Sequence, residues 1–173
     1  MGENTFFMNK EKLDYVLSGS EFGNCFDVEI ESGETPSVFY LNLKYEDEIY
    51  VPVTVFRNEF TPFQAIIKYL KENLNLNNKE IALRLGRATR DIWAVYDSID
   101  NKKTLSIDET KLHIPLTIFK DDKLSAFETL VSFLTHFGMS YAEIARQLNR
   151  DQRTIWTIHS RAKNKLESVK HEQ

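Results

Sequence analysis

The sequence predicts a mainly α protein with duplicated three-helix helix-turn-helix repeats and a small N-terminal β-containing segment. Three observations lead to this fold class. The stretch from Ser140 to Lys165 has the pattern of two short helices joined by a tight turn. The stretch from Asn77 to Trp93 repeats it 63 residues upstream, the interval between Trp93 and Trp156. Ahead of both copies, short runs alternate apolar and polar residues, which is typical of strands.

Caps and apolar spacing define the two helices of the downstream copy. Ser140 followed by Glu143 is a capping box, which begins the first helix. Asn149 stands at the turn and tolerates a left-handed backbone. Asp151 has the chemistry of an N-cap for the second helix. One buried stripe is predicted from apolar residues three and four positions apart: Ile144, Ala145, Leu148, Ile155, Ile158 and Ala162.

A family resemblance rests on several positions of this copy. They are Glu143-Ile144-Ala145, Leu148, Thr154-Ile155, Arg161-Ala162 and Lys165-Leu166. The copy resembles the helix-turn-helix of bacterial sigma factor region 4, and LuxR-type response regulators carry a similar module. It departs from the family at the turn, where Asn149 replaces a usual glycine and Arg150 a usual small apolar residue. The resemblance implies binding of double-stranded DNA, and it equally allows docking on RNA polymerase or another transcription protein.

The self-similarity extends beyond the helix-turn-helix. Gly86 stands at the turn of the upstream copy. Val51–Phe56 recurs as Ile114–Phe119 at the same offset, and Phe63–Leu70 recurs as Phe127–Leu134 one residue further along. Eight identical residues recur downstream: Glu80, Ile81, Ala82, Leu85, Arg87, Arg90, Ile92 and Trp93. Similarity over this length indicates an internal duplication.

Each copy is predicted to run strand, helix, helix, helix. Pro52 and Pro115 restrict the two strands to pairing on one side, because proline has no N–H to donate. Capping boxes at Thr61–Gln64 and Ser125–Glu128 begin the first helices. Each of these helices carries a broad apolar face and is expected to support the helix-turn-helix from behind.

The N-terminal segment is predicted to contain a helix at Asn9 to Leu17 and strands at Phe26 to Glu31 and Val38 to Tyr45. With Ile49 to Phe56 these strands are expected to form a small antiparallel sheet. The segment serves either as a structural cap on the first repeat or as an acidic partner-binding or self-inhibiting module.

Four regions follow from these elements. Residues 1–48 form an acidic N-terminal α/β segment, and residues 49–103 form the first helix-turn-helix repeat. A polar linker at 104–112 leads to the second repeat at 113–173. Two pictures remain for the repeats. They pack as one unit with their proline-containing strands paired or covered, or they move independently on the linker.

Charge is unevenly distributed along the chain. The net charge is −4, but residues 1–50 hold eleven acidic and three basic side chains, which gives −8. Residues 51–173 hold fifteen acidic and nineteen basic side chains, which gives +4. Basic repeats behind an acidic segment indicate a nucleic-acid partner. Without an apolar run of membrane length or a secretory leader, we expect a cytoplasmic protein, associated with the nucleoid if it binds DNA.

The sequence does not predict an enzyme. It contains no glycine-rich phosphate loop and no nucleophile elbow, and its four histidines lack metal-ligand spacing. A single cysteine, Cys25, excludes an internal disulfide and a cysteine-based zinc site within the chain. We therefore expect no catalytic residue, no metal and no cofactor.

The predicted interface is the open face of the two second helices. In the second copy it comprises Arg150, Gln152, Arg153, Thr157, Ser160, Arg161 and Lys163. In the first copy it comprises Arg87, Thr89 and Arg90. Side chains at the start of such a helix reach base edges, and flanking cations contact phosphates. Asp91 and Asp97 repel phosphate, so the second copy is expected to dominate.

Two pairs of equivalent residues have alternative interpretations. Arg90 and Arg153 are predicted to contact bases or phosphates, or else to form ion pairs with Glu80 and Glu143. Trp93 and Trp156 are expected to pack against the first helix of their copy, with contact to DNA or a partner as the alternative.

Overall fold

The computed structural model describes residues 5–8, 28–32, 39–43, 48–99, 103–110 and 112–170. Within these ranges the protein is mainly helical, as the sequence predicts. None of the helices in these ranges is both long and apolar enough to cross a membrane. The helices are α1 (Pro62–Glu72), α2 (Asn78–Leu85), α3 (Thr89–Asp97), α4 (Ala126–His136), α5 (Tyr141–Leu148) and α6 (Gln152–Lys170).

An antiparallel sheet in the N-terminal segment has the strand order β1–β3–β2. Its strands are β1 (Thr5–Met8), β2 (Val28–Ser32) and β3 (Phe39–Leu43). The last two confirm the predicted strands with small shifts in their bounds, whereas β1 is an addition to the prediction. The helix predicted at Asn9 to Leu17 lies outside the described residues.

The proline-containing strands of the two copies pair with each other. Strand β4 (Tyr50–Pro52) is antiparallel to β5 (His113–Pro115), so the prediction that it joins the N-terminal sheet is wrong. The central pair joins Val51 and Ile114, which are equivalent positions of the two copies. An antiparallel pair centred on equivalent residues has an approximate two-fold axis through its middle.

Backbone hydrogen bonds on both sides of the strands follow the same symmetry. Val53 N donates to Leu112 O at 3.0 Å, and Leu116 N donates to Ile49 O at 2.8 Å. Each atom of one bond has its counterpart, 63 residues away, in the other bond. The two copies are therefore joined through their main chains, which satisfies backbone groups that neither strand could satisfy alone.

The predicted strands are shorter in the structure than the sequence indicates. After Pro52 and Pro115 the chain enters 3-10 helices, Val53–Arg57 and Leu116–Lys120. The strands predicted through Phe56 and Phe119 are thus wrong in their second halves. Proline removes a ladder donor and ends the pairing, and a tight turn then buries Val53 to Phe56 consecutively, where a strand would alternate its faces.

Capping boxes fix where the first two helices of each copy begin. The three that the sequence predicts, at Thr61–Gln64, Ser125–Glu128 and Ser140–Glu143, are confirmed, and Asn77–Glu80 is a fourth. Pro62 occupies the first helical position of α1, where its missing N–H is no loss.

Each helix-turn-helix packs its turn against the 3-10 helix of the other copy. The turn residues Gly86 and Asn149 are both left-handed, with φ of 62° and 50°. A Cβ on Gly86 would lie 3.2 Å from Lys120 Cγ. In the equivalent contact, Arg57 Nε donates to Gln147 O at 2.7 Å. These exchanged contacts connect the copies as firmly as the strands do.

One apolar core runs through both copies. The equivalent Phe56 and Phe119 rings lie 6.0 Å apart, and α1 contacts α4. The described part of the linker lies along this body: Thr54 Oγ1 donates to Asp108 O at 3.0 Å, and Leu105 and Ile107 are partly buried. The helix-turn-helix units α2–α3 and α5–α6 are therefore presented by one packed body.

Candidate nucleic-acid interface

Helix α6 begins at a side-chain cap and turns one face to solvent. Asp151 Oδ1 accepts a hydrogen bond from Arg153 N at 2.7 Å, which confirms the predicted cap. Ile155 and Ala162 are fully buried. A second stripe, of residues three and four positions apart, runs along one side of the buried stripe. It carries Gln152, Arg153, Trp156, Ser160 and Lys163, which we call the α6 face.

The structure brings most predicted residues of the second copy onto or beside this face. Gln152, Arg153, Arg161 and Lys163 are exposed, and Thr157 and Ser160 are half-buried. Thr157 Oγ1 donates to Arg153 O at 2.9 Å. Lys163 Nζ lies 3.8 Å from Glu167 Oε1, a solvent-exposed pair that a phosphate could replace at little cost.

Arg150 has a structural role that the sequence did not reveal. Its guanidinium is half-buried and donates to Asn149 O at 3.1 Å and to Asn58 O at 2.9 Å. The second bond crosses to the first copy. One N–H group therefore holds the contact between the copies and another holds the local turn, and the remaining N–H groups are available to a ligand.

The two tryptophans do not pack against the first helices, so that prediction is wrong. Trp93 is 57% exposed and Trp156 is 56% exposed. Trp156 borders an open depression of about 720 Å³ with Tyr141, Asp151, Gln152 and Arg153. Sequence reasoning left Trp156 out of the site. The helical wheel could have found it, because Trp156 lies four residues from both Gln152 and Ser160.

Tyr141 also lines this depression, and a contact with His159 holds its side chain in position. Its hydroxyl lies 2.8 Å from His159 Nδ1, and the two rings are 5.6 Å apart. Because Tyr141 belongs to α5 and His159 to α6, the bond fixes the two helices relative to each other beside the α6 face.

The first copy has the same order of helices and turn, but different side chains at the equivalent face. Thr89 and Arg90 are exposed and Arg87 is half-buried. Arg90 Nε lies 3.6 Å from Asp91 Oδ1, so the ion pair predicted with Glu80 is wrong among the described residues. Glu80 instead accepts from Asn77 N in the capping box. No side chain caps α3, which begins after Ala88.

Electrostatics and hydropathy separate the two units. From 152 to 168, α6 carries four cationic side chains and one carboxylate, a sum of +3, whereas α3 carries one arginine and two aspartates, a sum of −1. Leu83 on α2 is 79% exposed, and the equivalent position on α5 holds exposed Arg146. The second unit is therefore the more basic of the two, and the first combines carboxylates with exposed apolar side chains.

An ion pair between an exposed lysine and a buried carboxylate connects α6 to α4. Lys165 Nζ donates to Glu128 Oε2 at 2.8 Å, and the Glu128 side chain is 5% exposed. Burial raises the pKa of Glu128, but hydrogen bonds from Lys165 and Ser125 outweigh it and hold the pKa below its ordinary value.

Across the described residues, no cluster of three or more histidine, cysteine, aspartate or glutamate side chains is arranged to hold a metal ion. No family model, curated protein or solved structure matches the chain.

Proposed function

We propose that the protein is a double-stranded DNA-binding transcriptional regulator, acting without catalysis at the nucleoid in the cytoplasm. The observation that carries this proposal is the α6 face: exposed amide and guanidinium donors at the start of a helix, with further cations about two and three turns on. A helix of this kind fits the major groove, where Gln and Arg side chains read base edges.

The side chains have separate roles in this proposal. Gln152 and Arg153 lie in the first turn of α6 and contact bases, because that end of a recognition helix enters the groove. Arg161 and Lys163 lie further along and contact phosphates, which supply most of the affinity. Among the described residues, no acceptor holds the Arg153 guanidinium, so DNA binding need not first break an internal contact.

The resemblance to sigma factor region 4 agrees with this arrangement at the level of the unit. Two such units in one packed body would meet a duplex together. Successive major grooves on one side of DNA recur about every 34–36 Å. With its acidic α3, the first unit adds the weaker contact, through Arg87, Thr89 and Arg90.

The test compares equivalent arginines in the two units. Arg153→Ala should weaken binding to a duplex selected from a random pool by about 1–3 kcal/mol, because it removes a base contact. Arg90→Ala is the matched comparison: Arg90 belongs to the weaker first unit, is 89% exposed and stands beside a carboxylate, so its replacement should cost less affinity than Arg153→Ala. Fluorescence anisotropy at two salt concentrations gives both affinities. Equal affinity of the folded Arg153→Ala protein and the wild type would refute this role of α6.

A second candidate function is docking on RNA polymerase or another transcription protein. Exposed Leu83 and Trp93 on the first unit favour it, because apolar anchors of this kind are typical of protein interfaces. Leu83→Asp should abolish capture of purified polymerase and leave DNA affinity unchanged if the units divide these tasks. Loss of capture in Arg153→Ala instead would assign docking to the second unit.

A further inference from the structure

The exposed indole on the α6 face offers an apolar surface to a ligand. Trp156 is 56% exposed although Ile155, the next residue back, is fully buried. A tryptophan left in water loses free energy that burial would recover, since such a ring can bury 150–250 Å². Its neighbours Gln152 and Arg153 are polar and exposed, so the ligand that covers it must offer polar and apolar groups side by side.

Charge favours an anionic ligand. Arg153 and Lys163 lie three and seven residues from Trp156, and Asp151 is the one carboxylate among the residues that line the depression. Lys165 is already paired with Glu128. Double-stranded DNA is an anionic ligand, and its major groove supplies one apolar group on the bases, the C5-methyl of thymine. Sugar carbons along the groove walls are also apolar, but they carry no sequence information.

We infer that Trp156 is a specificity-determining residue that reads thymine methyl groups in the major groove. This inference rests on the proposed function. Gln152 and Arg153, on the preceding turn, take the hydrogen-bonding groups of adjacent base pairs. Tyr141, whose hydroxyl is bonded to His159, lines the same depression as the indole. The preferred half-site of the second unit therefore contains thymine.

The first unit provides an internal control. Trp93 occupies the equivalent position and is 57% exposed, so its replacement perturbs the fold as little as replacement of Trp156. It lies two residues from Asp91 and four from Asp97, whose carboxylates repel phosphate. Trp93 should accordingly contribute little to the discrimination of thymine.

The experiment uses the full chain and a duplex selected from a random-sequence pool. Thymines of the selected duplex are replaced one at a time by deoxyuridine, which removes the methyl group and keeps the base pair. Wild-type affinity should fall about four-fold at each contacted position, the value for one buried carbon. Trp156→Ala should bind both duplexes equally, and Trp93→Ala should discriminate as the wild type does.

The outcomes separate the inference from the proposed function. Equal binding of thymine and deoxyuridine duplexes by the wild type overturns the inference and leaves DNA binding intact, with the indole on a sugar. Discrimination that persists in Trp156→Ala, or a selected half-site without thymine, also overturns it. A pool from which no duplex is retained overturns the proposed function and the inference with it. The wild-type measurement requires no variant to fold.

Discussion

At the turn of each helix-turn-helix, one residue has a left-handed backbone conformation, which allows the second helix to start in a new direction. Gly86 does so at φ 62° without a side chain, and Asn149 does so at φ 50°. An L-residue there costs about 1–2 kcal/mol. The two turns therefore respond differently to substitution.

Gly86→Ala should lower the free energy of unfolding by about 1–2 kcal/mol, because alanine is strained at this φ. Its Cβ would also lie 3.2 Å from Lys120 Cγ, so the packing of the opposite copy must adjust. Urea denaturation measures the change. Asn149→Gly is the control and should leave stability within about 1 kcal/mol of the wild type. A Gly86→Ala protein as stable as the wild type would contradict the role of the glycine.

A buried lysine joins α1 to α3 through a shared carboxylate. Lys68 is 1% exposed and its Nζ donates to Glu72 Oε1 at 2.6 Å. The Tyr96 hydroxyl donates to the same oxygen at 3.0 Å, and burial together with this bond to Glu72 raises the pKa of Tyr96. Glu72 therefore compensates a cation that has little contact with water.

Removing the carboxylate should cost more than removing the cation. Glu72→Ala leaves the buried ammonium uncompensated and should destabilise the protein by about 2–3 kcal/mol, less than for a fully buried pair because Glu72 is 36% exposed. Lys68→Met replaces the charge with an apolar chain of similar length and should cost less than about 1 kcal/mol. Thermal unfolding shows which variant is less stable. A Lys68→Met protein that is less stable than the Glu72→Ala protein would contradict this account.

Single residues were predictable where local chemistry decides their role. Ser140, Glu143, Asp151 and Asn149 were placed correctly, because caps and left-handed turns depend on residues only a few positions away. The tryptophans and Arg150 were not, because their surroundings come from distant parts of the chain. Arg150 donates to Asn58, 92 residues earlier. No local pattern contains that information.

At the level of elements, the long helix α6 depends on one buried carboxylate. Glu128 on α4 accepts from Lys165, near the end of the part of α6 that packs on the protein. Since the folded pKa of Glu128 is lowered, its contribution to stability is present above the unfolded glutamate pKa and is lost as the pH falls through the folded value.

Glu128→Gln should therefore lose stability at neutral pH and little further on acidification, relative to the wild type. The difference in unfolding free energy between the two proteins should shrink as the pH falls below about 4.3, the ordinary glutamate pKa. Urea titrations at several pH values measure it. Glu59→Gln is the comparison for an exposed ion pair: Lys103 also lowers the pKa of Glu59, but solvent screens that pair, so its pH-dependent difference should be smaller. A constant difference across the acid range would contradict the linkage.

Elements were predicted well where periodicity and caps agree, and poorly where they do not. The helices α1, α2, α4 and α5 begin at capping boxes and continue over an apolar face, so their positions follow from the sequence. The strand predictions were wrong after Pro52 and Pro115. An apolar run of this length suits a strand or a buried turn equally, and tertiary packing decides between them.

At the scale of the whole molecule, the copies exchange contacts rather than stand side by side. The first 3-10 helix packs on α5 and the second packs on α2, while β4 and β5 close the pair. Sequence reasoning offered pairing of the strands as one alternative. It could not predict that each 3-10 helix packs on the other copy, because the repeated sequence does not indicate which copy supplies the neighbouring helix.

Both copies should tumble as one body. NMR relaxation on the full chain is expected to give a single rotational correlation time for α1–α3 and α4–α6, because the core and the exchanged contacts are continuous. A variant with Val51→Asp, which places a carboxylate at the centre of the strand pair, should unfold both copies together. Two correlation times, or unfolding of one copy alone, would contradict the single body.

The approximate two-fold axis has a consequence for how the protein can change by mutation. In a homodimer, every substitution appears on both sides of the axis at once, and the two binding surfaces stay identical. Here both sides belong to one chain, so each mutation alters one side. Leu83 and Arg146 occupy equivalent positions, as do Ala88 and Asp151, so the two surfaces differ while Val51 and Ile114 meet at the centre. One chain can therefore keep a scaffold with two-fold symmetry while its two sides are selected for different functions.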